Sequence, residues 1–99
     1  MVVVNGIVRS TQEDINTLQS AISAMETASR EEPGCLDYTF SIELSDPAVI
    51  RITEKWDSLE SLQAHFQTPH MAEFQATMGA HPPQSMDVNF YEVEEIHPF

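Results

Sequence analysis

Positive charge is scarce in this chain of 99 residues: four Lys and Arg stand against 16 Asp and Glu, a formal charge of −12. That balance repels phosphate backbones and anionic headgroups, so nucleic acid and membrane surfaces are poor partners. The four cations, Arg9, Arg30, Arg51 and Lys55, form no cluster, which also disfavours a highly anionic substrate. A neutral or aromatic small molecule suits the composition better.

Cysteine is nearly absent. Cys35 alone cannot form an internal disulfide, no CxxC or Cys/His zinc spacing exists, and no basic neighbour marks it as a reactive thiolate. A reducing compartment follows, and the cytoplasm is the expected location. Long apolar runs are missing too. The opening Met1 to Val4 breaks at Asn5-Gly6 and has no basic flank, so no signal peptide is expected; no stretch approaches the roughly 20 residues of a membrane span. With three glycines and no GxGxxG, there is no dinucleotide fingerprint. Repeats, linkers and low-complexity tracts are absent, so residues 1–99 read as one domain.

What is present is periodicity. Val2 to Arg9 is apolar at odd and even positions alike, as in a strand covered on both faces. Ser10-Thr11-Gln12-Glu13 reads as a capping box, followed by Ile15, Leu18, Ile22 and Met25 at helical spacing, and the helix should end before Glu32-Pro33-Gly34. Leu36, Tyr38, Phe40, Ile42 and Leu44 alternate with polar residues, a strand that Ser45-Asp46-Pro47 turns into a second one. In that second strand, Val49 to Trp56, the residues Ile50, Ile52, Glu54 and Trp56 share a side.

Asp57-Ser58-Leu59-Glu60 opens a short helix with Leu59, Leu62 and Phe66 inward. Thr68-Pro69 starts a third helix, with Met71, Phe74 and Met78 inward and Gly79 at its stop. Met86 to Ile96 reads as a last strand whose apolar phase shifts midway, suggesting a bulge or a change of partner. This order predicts an α+β fold: a ferredoxin-like split βαβ unit, with helices on one face of an antiparallel sheet. The other face would stay bare although the first and last strands are apolar on both sides, so a second copy should cover it, giving a homodimeric α+β barrel.

The stretch Glu32-Pro33-Gly34-Cys35-Leu36-Asp37-Tyr38, with Asp46-Pro47, Glu54-Lys55-Trp56, His65-Phe66-Gln67-Thr68-Pro69-His70-Met71 and Phe74, resembles the antibiotic biosynthesis monooxygenase family, closest to its small quinol monooxygenase-like members. The resemblance implies the same dimeric barrel. It also implies oxygenation of aromatic polyketides or quinols by molecular oxygen without metal, flavin or haem, in a pocket between sheet and helices. Oxygen reacts with an electron-rich phenol through its anion, so a base in a dry pocket is the chemistry to look for.

His65, His70 and Trp56 are the expected catalytic residues: His65 at the margin of a buried stripe, His70 in the first turn of the third helix, and Trp56 as an indole donor. Tyr38, Phe40, Phe66, Phe74 and Met78 offer aromatic and soft contacts for a flat substrate, and Asn5 a polar one. Glu54, alone among apolar neighbours, should orient a histidine or pair with Arg9 or Arg51, and joins the substrate-binding set. His70 and Glu73 are spaced i, i+3 near His65, but a third and fourth ligand are not evident, so no metal is expected. Two alternatives share the pocket: isomerisation of a small carbonyl sugar, and a non-catalytic dimer that binds an aromatic ligand.

Overall fold

The valine-rich strand β1 (Val2–Arg9) lies in the interior of the sheet, hydrogen-bonded along both edges. In the computed structural model, which describes all 99 residues, it is followed by α1 (Gln12–Arg30), β2 (Cys35–Glu43), β3 (Asp46–Trp56), α2 (Leu59–His65), α3 (Pro69–Ala80) and β4 (Ser85–Glu92). The sheet order is β2-β3-β1-β4 and every pairing is antiparallel. This is the α+β, ferredoxin-like arrangement that the periodicity predicts. No helix is long and apolar enough to cross a membrane.

Alternation along the strands divides the sheet into two faces. Val2, Val4 and Val8 of β1, with Ile50, Ile52 and Trp56 of β3, turn toward the helices and bury themselves against Ile15, Met25 and Leu62. Gly6 sits in the same row because a Cβ there would lie 3.1 Å from Ile52 and 3.3 Å from Val88. The opposite face presents Val3, Asn5 and Ile7, and no helix covers it. α1 is fastened to the edge strand β2 through Arg30, whose Nε donates to the Tyr38 carbonyl (2.9 Å), and through Glu26, which accepts the Phe40 N–H (2.8 Å).

Local expectations fail where tertiary contacts override them. The N-cap of α1 is Thr11, accepting from the Asp14 N–H, and not Ser10; the Ser10 N–H instead donates to Ala48 of β3, holding that residue in extended chain. The hairpin turn is only Leu44-Ser45, because Asp46 caps the Ala48 N–H with its own carboxylate and Pro47, at a strand start, needs no donor. A register shift at Cys35/Asp37 leaves Leu36 outside, and at the far end of the hairpin Ile42 and Leu44 are exposed.

In α2 the buried pair is Leu62 and His65, while Leu59 and Phe66 remain substantially exposed, since a seven-residue helix has room for only a narrow stripe. α3 runs one residue past Gly79, and His81 is its cap. β4 pairs with β1 without interruption from Ser85 to Glu92, so its apolar phase shift is neither a bulge nor a change of partner. Met86, Val88 and Phe90 serve the helix side and Tyr91 the open side.

Candidate active site

A cavity of about 450 Å³ opens between the helix-facing side of the sheet and α3. Its floor is built by strand alternation: Val4 and Val8 from β1, Tyr38 and Phe40 from β2, Ile52 and Glu54 from β3, and Met86, Val88 and Phe90 from β4. Met71, Phe74 and Met78 form the α3 wall, Pro82 and Pro83 close one end, and Phe66 borders it beyond α2. Phe40 meets Phe74 edge-on at 5.8 Å and Phe66 meets Phe90 at 6.2 Å, so aromatic pairs brace both sides. A wider depression of about 520 Å³, bounded by Ser20, Ser23, Thr27 and Glu31, lies on one face of α1 and brings no reactive groups together.

Polar side chains in the cavity lining are few: Glu54, Tyr38 and Gln75, with no lysine or arginine. Glu54 is 8% exposed. Burial pushes its carboxyl above the usual carboxylate range, and the Trp56 indole N–H, donating to Oε1 at 3.0 Å, and nearby His65 only partly offset this. The Tyr38 phenol is held well above its ordinary value by burial and by Glu54, so it stays neutral and can donate a hydrogen bond. Burial likewise raises the Cys35 thiol, to about 11.

Behind the cavity wall stands a second polar group. His65, 1% exposed, packs against Trp56 (ring centroids 4.9 Å) and Tyr38 (5.3 Å). Its Nδ1 lies 2.6 Å from Glu32 Oε2, and His70 Nε2 lies 2.7 Å from the same oxygen. Three local devices bring these side chains together. Gly34, at φ 84°, turns the chain after Glu32; Ser58 caps α2 and faces His65 inward; Thr68 caps α3 with Pro69 in its first turn, setting His70 at its start.

Of the expected site residues, Tyr38, Phe40, Glu54, Phe66, Phe74 and Met78 line the cavity. Trp56 does not line it but stands behind it, fully buried, and holds Glu54. His65 is deeper than the stripe margin expected for it, and neither it nor His70 lines the cavity; both turn to Glu32. Asn5 is on the opposite face, paired with Thr53 and Asn89, because the one-residue phase of β1 gives the inward positions to its even-numbered residues. Arg51 does not reach Glu54; it binds Glu43 at 2.6 Å. The expected list omitted Met71, Met86, Val88 and Phe90, all carried by alternation or helical spacing, and Glu32, for which no local pattern exists.

A model of the antibiotic biosynthesis monooxygenase family matches residues 1–77. Among solved structures, the chain is similar to a protein of Deinococcus radiodurans named as a candidate antibiotic biosynthesis monooxygenase: 27% identity, TM-score 0.91, covering 100% of this chain and 98% of the other. A conserved protein of Bacteroides thetaiotaomicron shares the fold at 24% identity and TM-score 0.84, covering 93% and 96% of the two chains. An uncharacterized protein of Synechocystis is 39% identical over 46 residues, 46% of this chain, and the match spans only 31% of that protein's length.

Proposed function

The chain belongs to the antibiotic biosynthesis monooxygenase family, and from that premise we propose that it oxygenates a small electron-rich phenol or quinol in the cavity, with Glu54 as the base. The observation that carries this reading is the placement of one buried carboxylate, raised by burial, in an otherwise apolar wall. A volume of about 450 Å³ lies within the roughly 300–1,000 Å³ of small-molecule sites. The absence of lysine and arginine from the lining favours a neutral flat substrate over a phosphorylated sugar.

The chemistry balances without an outside reductant. Glu54 takes the phenol proton; the phenolate gives one electron to molecular oxygen, and the resulting radical pair joins at the activated ring carbon, forming a carbon–oxygen bond. The peroxide recovers that proton from Glu54 and then loses water, the ring C–H supplying the second hydrogen, and a quinone remains. One oxygen atom enters the product, the other leaves as water, and the substrate supplies all the electrons. Trp56 holds Glu54 in place through its Oε1. Phe40, Phe66, Phe74 and Met78 hold the ring system and keep water out.

A second copy of the chain covers the open sheet face, where Val3, Ile7 and Tyr91 are only partly shielded or exposed. Light scattering should therefore report about 22 kDa against a chain mass of 11.1 kDa. The activity itself is tested by incubating the protein with naphthols and hydroquinones under labelled oxygen and under nitrogen. One labelled atom in the product and one in water, only in the presence of oxygen, is expected. Product formation no faster than uncatalysed autoxidation would leave a dimer that binds aromatics without reacting.

A further inference from the structure

The Glu32, His65 and His70 cluster takes no part in the reaction described above, and it brings three metal-ligating side chains to one point. The three ligand atoms, one carboxylate oxygen and two imidazole nitrogens, all lie within 4.8 Å of one another. They come from three separate segments: the turn after α1, the buried side of α2 and the first turn of α3. His65 is fully buried, Glu32 nearly so, and His70 is about one quarter exposed. We propose that these side chains form a binding site for one divalent transition-metal ion of the zinc class, held behind the cavity wall and separate from the substrate.

Two imidazoles and a carboxylate are the donor set that such ions prefer, and three protein ligands leave one position open for water. With metal–ligand distances of about 2.0–2.1 Å, tetrahedral neighbours stand about 3.3 Å apart, so Glu32 must withdraw from each ring by roughly 0.6 Å and the rings must close around it. Side-chain rotation supplies that movement. The open side has room: a second cavity, about 110 Å³, lies between α1 and α3 and is lined by His70 and Glu73, giving the ion access and its water a carboxylate partner. None of the three ligands lines the large cavity, so the ion serves the fold and not the reaction. It ties Glu32 to residues 33 and 38 positions further along the chain.

The test uses full-length protein freed of metal by chelation and then titrated with cobalt(II) and with zinc(II). One equivalent should bind per chain, with cobalt giving visible bands of a low-coordinate nitrogen–oxygen site and zinc raising the melting temperature. His70→Ala and, independently, Glu32→Gln should weaken binding by about 100-fold or more and abolish the thermal shift. His81→Ala, which removes a histidine paired with Asp14 elsewhere, should leave both unchanged. Circular dichroism verifies that each variant is folded, and either folded variant suffices. Failure to bind an equivalent at 100 μM metal, or binding that survives both cluster substitutions, overturns the site. Oxygen consumption is a separate readout: zinc bound at full occupancy with no oxygenase activity would defeat the proposed function while leaving the metal site standing.

Discussion

Two glutamates differ in what surrounds them, and the contrast separates reaction chemistry from architecture. Glu54 has one indole donor and an apolar cavity beside it, so the cost of burying charge stays with the carboxyl and raises its pKa. Glu32 faces two imidazoles within 2.7 Å, both on its Oε2. A carboxylate left short of partners is available to take a proton from a substrate. One shared by two imidazoles holds segments together. Between them stand Trp56 and His65, in contact at 4.9 Å.

Removing that partition should have the largest effect. Trp56→Ala empties a fully buried site and should cost about 3–5 kcal/mol of stability, seen as a large fall in denaturation midpoint. A loss under 1 kcal/mol would mean that the two regions are not joined through the indole. Gly34→Ala strikes the Glu32 side alone. At φ 84° a Cβ is strained and would collide with Ser61 and Asp57, so about 1–3 kcal/mol should be lost, while oxygen consumption per folded protein stays at the wild-type level.

Trp56→Phe sharpens the contrast on the Glu54 side. It keeps most of the bulk but deletes the donor that favours ionised Glu54, so the pH profile of turnover should move to higher pH. An unmoved profile would show that the indole bond does not tune the base. The smallest effect is on stability. Because the folded carboxyl sits above its ordinary value of 4.5, folding favours the protonated form, and stability should decline as pH rises from 4.5 to the raised value and then level off. Glu54→Gln should lack that decline in thermal melts across the same range.

Features encoded by neighbours in the chain were legible in advance. The caps at Ser58 and Thr68 and the alternation that aligns Ile52, Glu54 and Trp56 depend on residues a few positions apart. Asn5 shows the limit of alternation: the period is visible in the valines, but which phase faces the helices is decided by their packing. The Glu32 cluster shows a different limit. Its members are brought together only when a turn and two helix starts are folded, so no spacing announces them. Glu54 was visible as an interruption in an apolar row, but the cavity beside it, not an arginine, gives it its character.

If Glu54 is the base of an oxygenation, the pH dependence of oxygen consumption by wild type and Glu54→Gln with one hydroquinone substrate reports it directly. The wild-type rate should rise with pH through a single titration above 4.5, and the variant should be slower by roughly 10²-fold on the plateau, with folding and substrate binding retained. Equal plateau rates in the two proteins would contradict it.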